Sequence, residues 1–491
     1  MLTLFLIFFP LLSSLVLLLA RPQHVKHWAL TASLIELVAS LVVVFQFDKQ
    51  YPLLQFSFNT PWITSLGLNL SLGIDGISLL LVLLTTVLVP FIIYSSFATD
   101  YKRPSIFYGL ILMMQMSLVG VFVSMDGLLF YIFWELALIP IYFICLIWGG
   151  ENRGQITFKF FVYTLAGSLF MLVALVYLYF QTPGTHSFAI QALYEAGRAL
   201  PVAEQGWIFW AMFVAFAIKM PVFPFHTWQP DTYTTAPAQG TMLLSGIMLK
   251  MGIYGLIRWL VPLVPAGVQE WGNTAIILSV IGIIYASCIA IVQKDIKRLI
   301  AYSSIAHVGL IAAGLLTLNR IGMQGAMVQM ISHGIIVFAL FYIVDIIFQR
   351  TKTHALAELG GIKNAAPVLA TIFTVVMLGS VALPLTSGFV GEFLLINSLV
   401  QYKIIIGSIA GLTMILGAVY MLRTFQKSMS GEANNLTKTF ADLTQHEKRV
   451  LYPIVALIIL LGIYPDPVLS ISESAVNNLL TLFSDSITSL K

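Results

Sequence analysis

The chain has 491 residues, 59% of them apolar and only 9% charged, with a net charge of +4. A soluble domain is about a quarter charged, so this composition, with a mean hydropathy of +0.94, excludes a water-soluble enzyme as the first reading. The lysines and arginines are scattered through short loops and form no basic tract, which argues against a nucleic-acid partner.

Crossing a hydrocarbon core of about 30 Å takes roughly 20 apolar residues. Such runs fall near 2–20, 28–47, 75–98, 106–124, 126–148, 158–181, 207–227, 237–263, 272–293, 298–318, 322–348, 366–399, 404–426 and 449–464. We number them spans 1 to 14. Backbone groups in lipid must pair within their own segment, so the spans are expected to be helices. The first run, MLTLFLIFFPLLSSLVLLLA, has no basic n-region and no small-residue cleavage pattern, and reads as a span, not a removed signal. Cys145 and Cys288 both lie in apolar runs and read as small core residues. Two cysteines are too few for an iron–sulfur cluster or a cysteine-rich zinc site. The tail 465–491 is too weakly apolar for a fifteenth span and suits an amphipathic helix on a surface or a partner.

Two spans carry internal breaks. Span 7 reads FAIKMPVFPFHTW, with Pro221 and Pro224 just after Lys219, and span 12 reads LGSVALPLTSGFVGEF, with Pro384 and Gly388 just before Glu392. Proline removes a helix hydrogen bond, tolerated at depth where a wet cavity or neighbouring helices satisfy the freed carbonyl. Broken helices at corresponding places in two halves point to inverted repeats. Spans 4–8 and 9–13 are five each, and an odd number inverts the second copy. The expected fold is therefore an all-α polytopic membrane protein of about fourteen transmembrane helices, with two inverted five-helix repeats and broken helices 7 and 12. The expected parts are 1–98, 106–263, 272–426 and 449–491.

Loop charge tests the count. Loops after odd-numbered spans hold seventeen lysines and arginines, from Arg21 and Lys26 to Lys448 and Arg449. The other side holds six, and Lys219 and Lys250 lie inside spans. The positive-inside rule then puts both termini on the outer side. The loop QKDIKRL, with Lys294, Asp295, Lys297 and Arg298, reads mainly as a topology anchor.

An ionisable group inside a membrane is a functional candidate because its charged form is costly there. Glu36, Glu135, Lys219, Lys250, His307, His333, Asp345 and Glu392 meet this condition. Glu135 in span 5 and Lys219 in span 7 could offset each other's desolvation, either as a static ion pair or as one that opens and closes. Lys250 is mid-span in helix 8, too central to snorkel to an interface. His307 and His333 titrate nearest physiological pH and suit a proton relay; a hydrogen-bonded core pair and haem ligation are the other readings. Glu36 and Asp345 read as structural.

The strings DGISLLLVLLT, FWELALIP, FAIKMPVFPFHTWQPD, LLSGIMLKMGIYG, QKDIKRLIAYSSIAHVGL, QMISHGI and GFVGEF resemble the antiporter-like subunits of respiratory complex I, the proton-pumping NADH:quinone oxidoreductase. The resemblance runs from about residue 72 to 465. Glu392 stands where most siblings have lysine, which resembles the M-type (NuoM-like) subunit. The resemblance implies a multi-pass protein of the bacterial inner membrane with NuoL-like and NuoN-like neighbours. It implies a proton relay through Glu135, Lys219, Lys250, His307, His333 and Glu392, coupled to quinone reduction in other subunits. No flavin, quinone or metal site is implied in this chain. The alternative is a subunit of a multi-component sodium/proton antiporter. The sequence departs from its relatives at TWQPDTYTTAP, where Tyr233 stands near a position often held by histidine. His226 and Asp231 remain as candidates for proton uptake.

Overall fold

The computed structural model describes residues 1–19 and 22–488. Arg21 and Lys491 of the loop-charge tally lie outside the described residues. Twelve helices among these are long and apolar enough to cross a membrane, and Gln445–Ile463 joined to Asp466–Thr488 at a 63° bend makes a thirteenth. Span 12 is built from two shorter helices, Pro367–Ser380 and Ser387–Tyr402. Each of the fourteen apolar runs thus has its helix.

Both expected breaks are present. Helix Val202–Lys219 stops at Lys219, and helix resumes only at Gln229–Thr235. Span 12 stops at Ser380 and restarts at Ser387, with Ala382 and Leu385 at φ of 55° and 73° between them. Left-handed backbone at non-glycine residues is strained, so the surrounding structure imposes this break. Span 8 adds a departure that the sequence did not announce. Its helix carries two π-helical stretches, Leu244–Met248 and Leu256–Leu260, on either side of Leu249–Gly255. Such bulges recur at functional sites.

The chain forms two compact units. The first comprises Met1–Met220, Ile247–Ala275 and the C-terminal stretch from Ser470, and the second Pro221–Gly246 and Ile276–Leu469. In the first unit, Gly76–Ser95 and Pro104–Val123 are mostly buried, whereas Leu2–Leu19 and Val25–Gln46 keep broad exposed apolar faces suited to lipid. Lys26 Nζ donates to Phe97 O at 3.1 Å and Thr99 O at 3.3 Å, and Ser40 Oγ meets Thr86 Oγ1 at 2.8 Å, which pins span 2 antiparallel to span 3. The C-terminal helix lies on this unit, where Ser474 Oγ donates to Lys49 O at 2.6 Å. In the second unit, Ile296–Leu315 and Arg320–Thr351 form the buried centre, packed against Ser387–Tyr402.

Two details correct the sequence reading. The segment between spans 2 and 3 forms an antiparallel hairpin, Gln55–Ile63 with Leu68–Ile74, the one sheet among the described residues. Its alternating apolar pattern and the glycine at 67 were the available signals, and Gly67 takes φ 58° between the strands. Cys145 is buried as expected, but Cys288 is exposed; an apolar run in a membrane helix fixes hydrophobicity without fixing which face points inward.

Candidate functional site

In the first unit, helix Val202–Lys219 ends on its lysine, and Lys219 keeps 3% of its surface exposed. Its ammonium lies 5.2 Å from the centre of the Trp134 ring. Trp134 precedes Glu135, and the Glu135 and Lys219 charges act on each other. Glu135 also shares a hydrogen bond with the Ser168 side chain. An indole face stabilises a desolvated ammonium by about 2 kcal/mol, so Lys219 has two sources of stabilisation here, only one of which carries charge.

Lys250 is fully buried between the two π-helical stretches. Gly252 brings this helix close to span 7, since a Cβ there would sit 2.8 Å from Phe216 O and 3.0 Å from Met220 N. Met220 follows Lys219, so the missing side chain lets the helix bearing Lys250 touch the end of the helix bearing Lys219.

Sequence reasoning passed over one charged pair in this unit. Asp75 caps the helix Gly76–Ser95, its Oδ1 accepting from Ile77 N at 3.1 Å and Ser78 N at 2.9 Å, and its Oδ2 pairs with the Arg258 guanidinium. Tyr254 lies under that guanidinium at 5.7 Å, and Tyr194 Oη donates to Arg258 O at 2.6 Å. The Asp-Gly opening of span 3 was the signal for the cap.

The second unit gathers His307, His333 and Glu392. His307 Nδ1 stands 2.8 Å from Glu392 Oε1, too far off line for a hydrogen bond. The two imidazole centroids are 5.8 Å apart, and Ser304 Oγ lies 3.1 Å from His333 Nε2. Gln329 Nε2 donates to Glu392 Oε1 at 3.3 Å. Ser332 Oγ donates to Ser387 O at 2.9 Å, tying the long helix Arg320–Thr351 to the first residue after the break. His307, Gln329, His333 and Glu392 line a cavity of about 10 Å³, at the lower edge of the space that one water needs. That volume and the ring separation leave no room for a haem between the histidines.

The other sequence candidates lie elsewhere. Glu36 is fully buried, and neither carboxyl oxygen has a hydrogen-bond partner among the described residues. Asp345 is half-buried and receives a 3.5 Å contact from Gln349 Nε2. Asp231 pairs with Arg298 at 3.0 Å, and His226 is buried against Phe223 and Tyr285. Lys297 departs from the topology-anchor reading. It turns inward to 7% exposure and donates to Ala236 O at 2.7 Å and Thr234 O at 3.1 Å, where it satisfies carbonyls at the end of the short helix Gln229–Thr235. Tyr233 is buried against Phe341.

Comparison with known proteins gives the chain its family. The chain is 40% identical over 486 residues to NADH-quinone oxidoreductase subunit M of Rickettsia conorii, covering 97% of this chain and 98% of that one. It is 39% identical over 471 residues to the Rhodobacter capsulatus protein of the same name, covering 94% and 91%. A chain of respiratory complex I from Thermus thermophilus superimposes with a TM-score of 0.90 at 26% identity, covering 99% of this chain and 100% of that one. Residues 124–417, which hold every proton-relay candidate, match the family described as NADH:quinone oxidoreductase/Mrp antiporter, transmembrane, and the chain belongs to that family.

Proposed function

We propose that the chain is a proton-translocating membrane-arm subunit of an NADH:quinone oxidoreductase, set between NuoL-like and NuoN-like neighbours in a bacterial inner membrane, with both termini on the outer side. The observation that carries this reading is the meeting of His307, His333 and Glu392 around a water-sized cavity, in a chain whose relatives named subunit M match it almost end to end.

The chemistry follows from charge. Glu135 favours the ammonium form of Lys219, so weakening that attraction loosens the proton on Lys219. Lys250 is the next buried base on the neighbouring helix, and a change in the charge of Lys219 is felt strongly at low dielectric. His307 and His333 carry ring nitrogens that can accept and donate a proton, and Glu392 is the terminal acid. Electron transfer and its cofactors are assigned to other subunits. Redox energy then reaches this chain as a displacement of charge along the membrane arm.

The test uses membrane vesicles holding the assembled complex. NADH-driven, inhibitor-sensitive proton pumping that is lost in Lys219→Ala or Glu135→Ala, with assembly intact, supports the reading. Coupled pumping left unchanged in both variants overturns it. Sodium-driven proton flux without an electron donor would instead identify a sodium/proton antiporter subunit.

A further inference from the structure

Glu392 must be held while it is charged and while it is protonated, and the two states ask for opposite partners. A carboxylate only accepts hydrogen bonds, whereas a carboxylic acid also donates one. A fixed cation suits only the first state and a fixed acceptor only the second. A side-chain amide has both a donor and an acceptor and takes on no charge itself.

Gln329 occupies that position. It lies one turn before His333 on the same helix face, and its Nε2 donates to Glu392 Oε1 at 3.3 Å. His307 approaches the same oxygen but is not aligned to donate to it. Gln329 keeps 2% exposure, and its Oε1 is buried without a hydrogen-bond partner among the described residues. Gly391, just before Glu392, leaves room for this amide oxygen, because a Cβ there would overlap it. A buried unpaired carbonyl is costly, and a partner in another state of the site accounts for its being kept.

We propose that Gln329 is the positioning residue of Glu392 and serves both of its protonation states. Its amide NH₂ donates to the carboxylate. After the amide turns about its terminal bond, its carbonyl accepts from the carboxylic acid. No bond is made or broken in Gln329, and the proton stays on Glu392 until it is passed on. His307, His333 and Tyr420, whose hydroxyl lies 3.0 Å from Ser303 Oγ, are titratable groups that face Glu392 from three of the helices packed on Ser387–Tyr402, and helix Gln445–Ile463, which also packs there, buries only Val450, Leu451, Ile454 and Ile458. The Gly379 and Ser380 end of the fourth wall adds none.

This inference rests on the role given to Glu392 above, so the experiment separates the two. The assembled complex in membranes is studied by infrared difference spectroscopy, with the Glu392 carboxyl band identified as the one lost in Glu392→Gln. In Gln329→Met, which keeps length and loses both hydrogen-bonding groups, that band shifts. The pH profile of NADH-driven pumping moves by about one unit, as expected for the loss of one hydrogen bond to a charged group, and pumping at neutral pH falls about tenfold. Gly391→Ala displaces the amide without changing its chemistry and produces the same band shift, which covers the case in which Gln329→Met fails to assemble. If Glu392→Gln pumps normally, the role of Glu392 itself is wrong. If Glu392→Gln abolishes pumping while Gln329→Met leaves band and pH profile in place, Glu392 stands and Gln329 is not its positioning residue.

Discussion

Arg258 and Asp75 lie 183 residues apart in sequence and form an ion pair whose side chains keep only 11% and 6% exposure. The carboxylate caps the start of span 3, and the guanidinium rises from the π-helical stretch after Lys250. The pair therefore anchors the helix that carries the central lysine, two turns away from it.

Breaking this pair from one side leaves a buried charge alone, which costs about 3–5 kcal/mol. Arg258→Met is expected to lower the thermal stability of the purified protein markedly. Asp75→Asn combined with Arg258→Met should recover much of the loss, because neither charge then remains. Thermal unfolding of the three forms checks this, and equal midpoints for Arg258→Met and the unaltered protein would sink it.

Trp134 shares Lys219 with Glu135. Trp134→Leu removes the aromatic face, worth about 2 kcal/mol at a desolvated site, and leaves the carboxylate in place. Pumping in this variant is expected to fall between that of the unaltered protein and that of Glu135→Ala. Vesicle pumping assays on matched amounts of assembled complex provide the comparison; a Trp134→Leu rate equal to the unaltered one would show that the ring contributes nothing.

Gly252 admits the close approach of span 8 to span 7. Gly252→Val would place a branched side chain against Phe216 O and Met220 N, at an overpacking cost of about 1–3 kcal/mol. Because the strained contact adjoins Lys219, pumping should fall even where the complex assembles. Retention of both stability and pumping would refute this account of the glycine.

Asp442 lies outside the spans and caps a helix from a distance. Helix Pro367–Ser380 has no side-chain cap of its own, but Asp442 accepts from Val368 N at 2.9 Å and Leu369 N at 3.0 Å. Burial pushes its carboxyl up, yet the N–H groups of Val368, Leu443 and Leu369 outweigh this and hold it below the usual carboxylate range. A folded-state value below the unfolded one means stability that is present above pH 4 and is lost as the pH falls through the folded value. Asp442→Asn should abolish that acid-dependent part while leaving the cap itself largely in place, because asparagine caps a helix about as well as aspartate. Unfolding midpoints measured between neutral pH and pH 3 test both statements, and an unchanged acid slope in Asp442→Asn would contradict them.

Much of the fold was legible in the chain. Lipid permits no unpaired backbone, so apolar length alone announced fourteen helices, and prolines beside Lys219 and before Glu392 announced two breaks. The same rule marked Glu135, Lys219, Lys250, His307, His333 and Glu392, because charge in hydrocarbon is too costly to keep without purpose. The hairpin at 55–74 was missed because a count of apolar runs ignores period-two patterns in the loops between them.

Pairing and facing were decided only in three dimensions. Apolar periodicity is faint in a helix that is hydrophobic all round, so nothing in one dimension told that Cys288 is exposed or that Lys297 turns inward. Gln329 opens the string QMISHGI but carries no charge, so the cost of charge in hydrocarbon did not mark it, although it makes the aligned hydrogen bond to Glu392. Asp75 and Arg258 lie at the ends of spans 3 and 8, and only the fold brought them together. The sequence by itself determined which residues the membrane would make costly; the tertiary structure decided which partner each of them meets, because electrostatic and hydrogen-bond energies depend on distances of a few ångströms that helix packing alone sets.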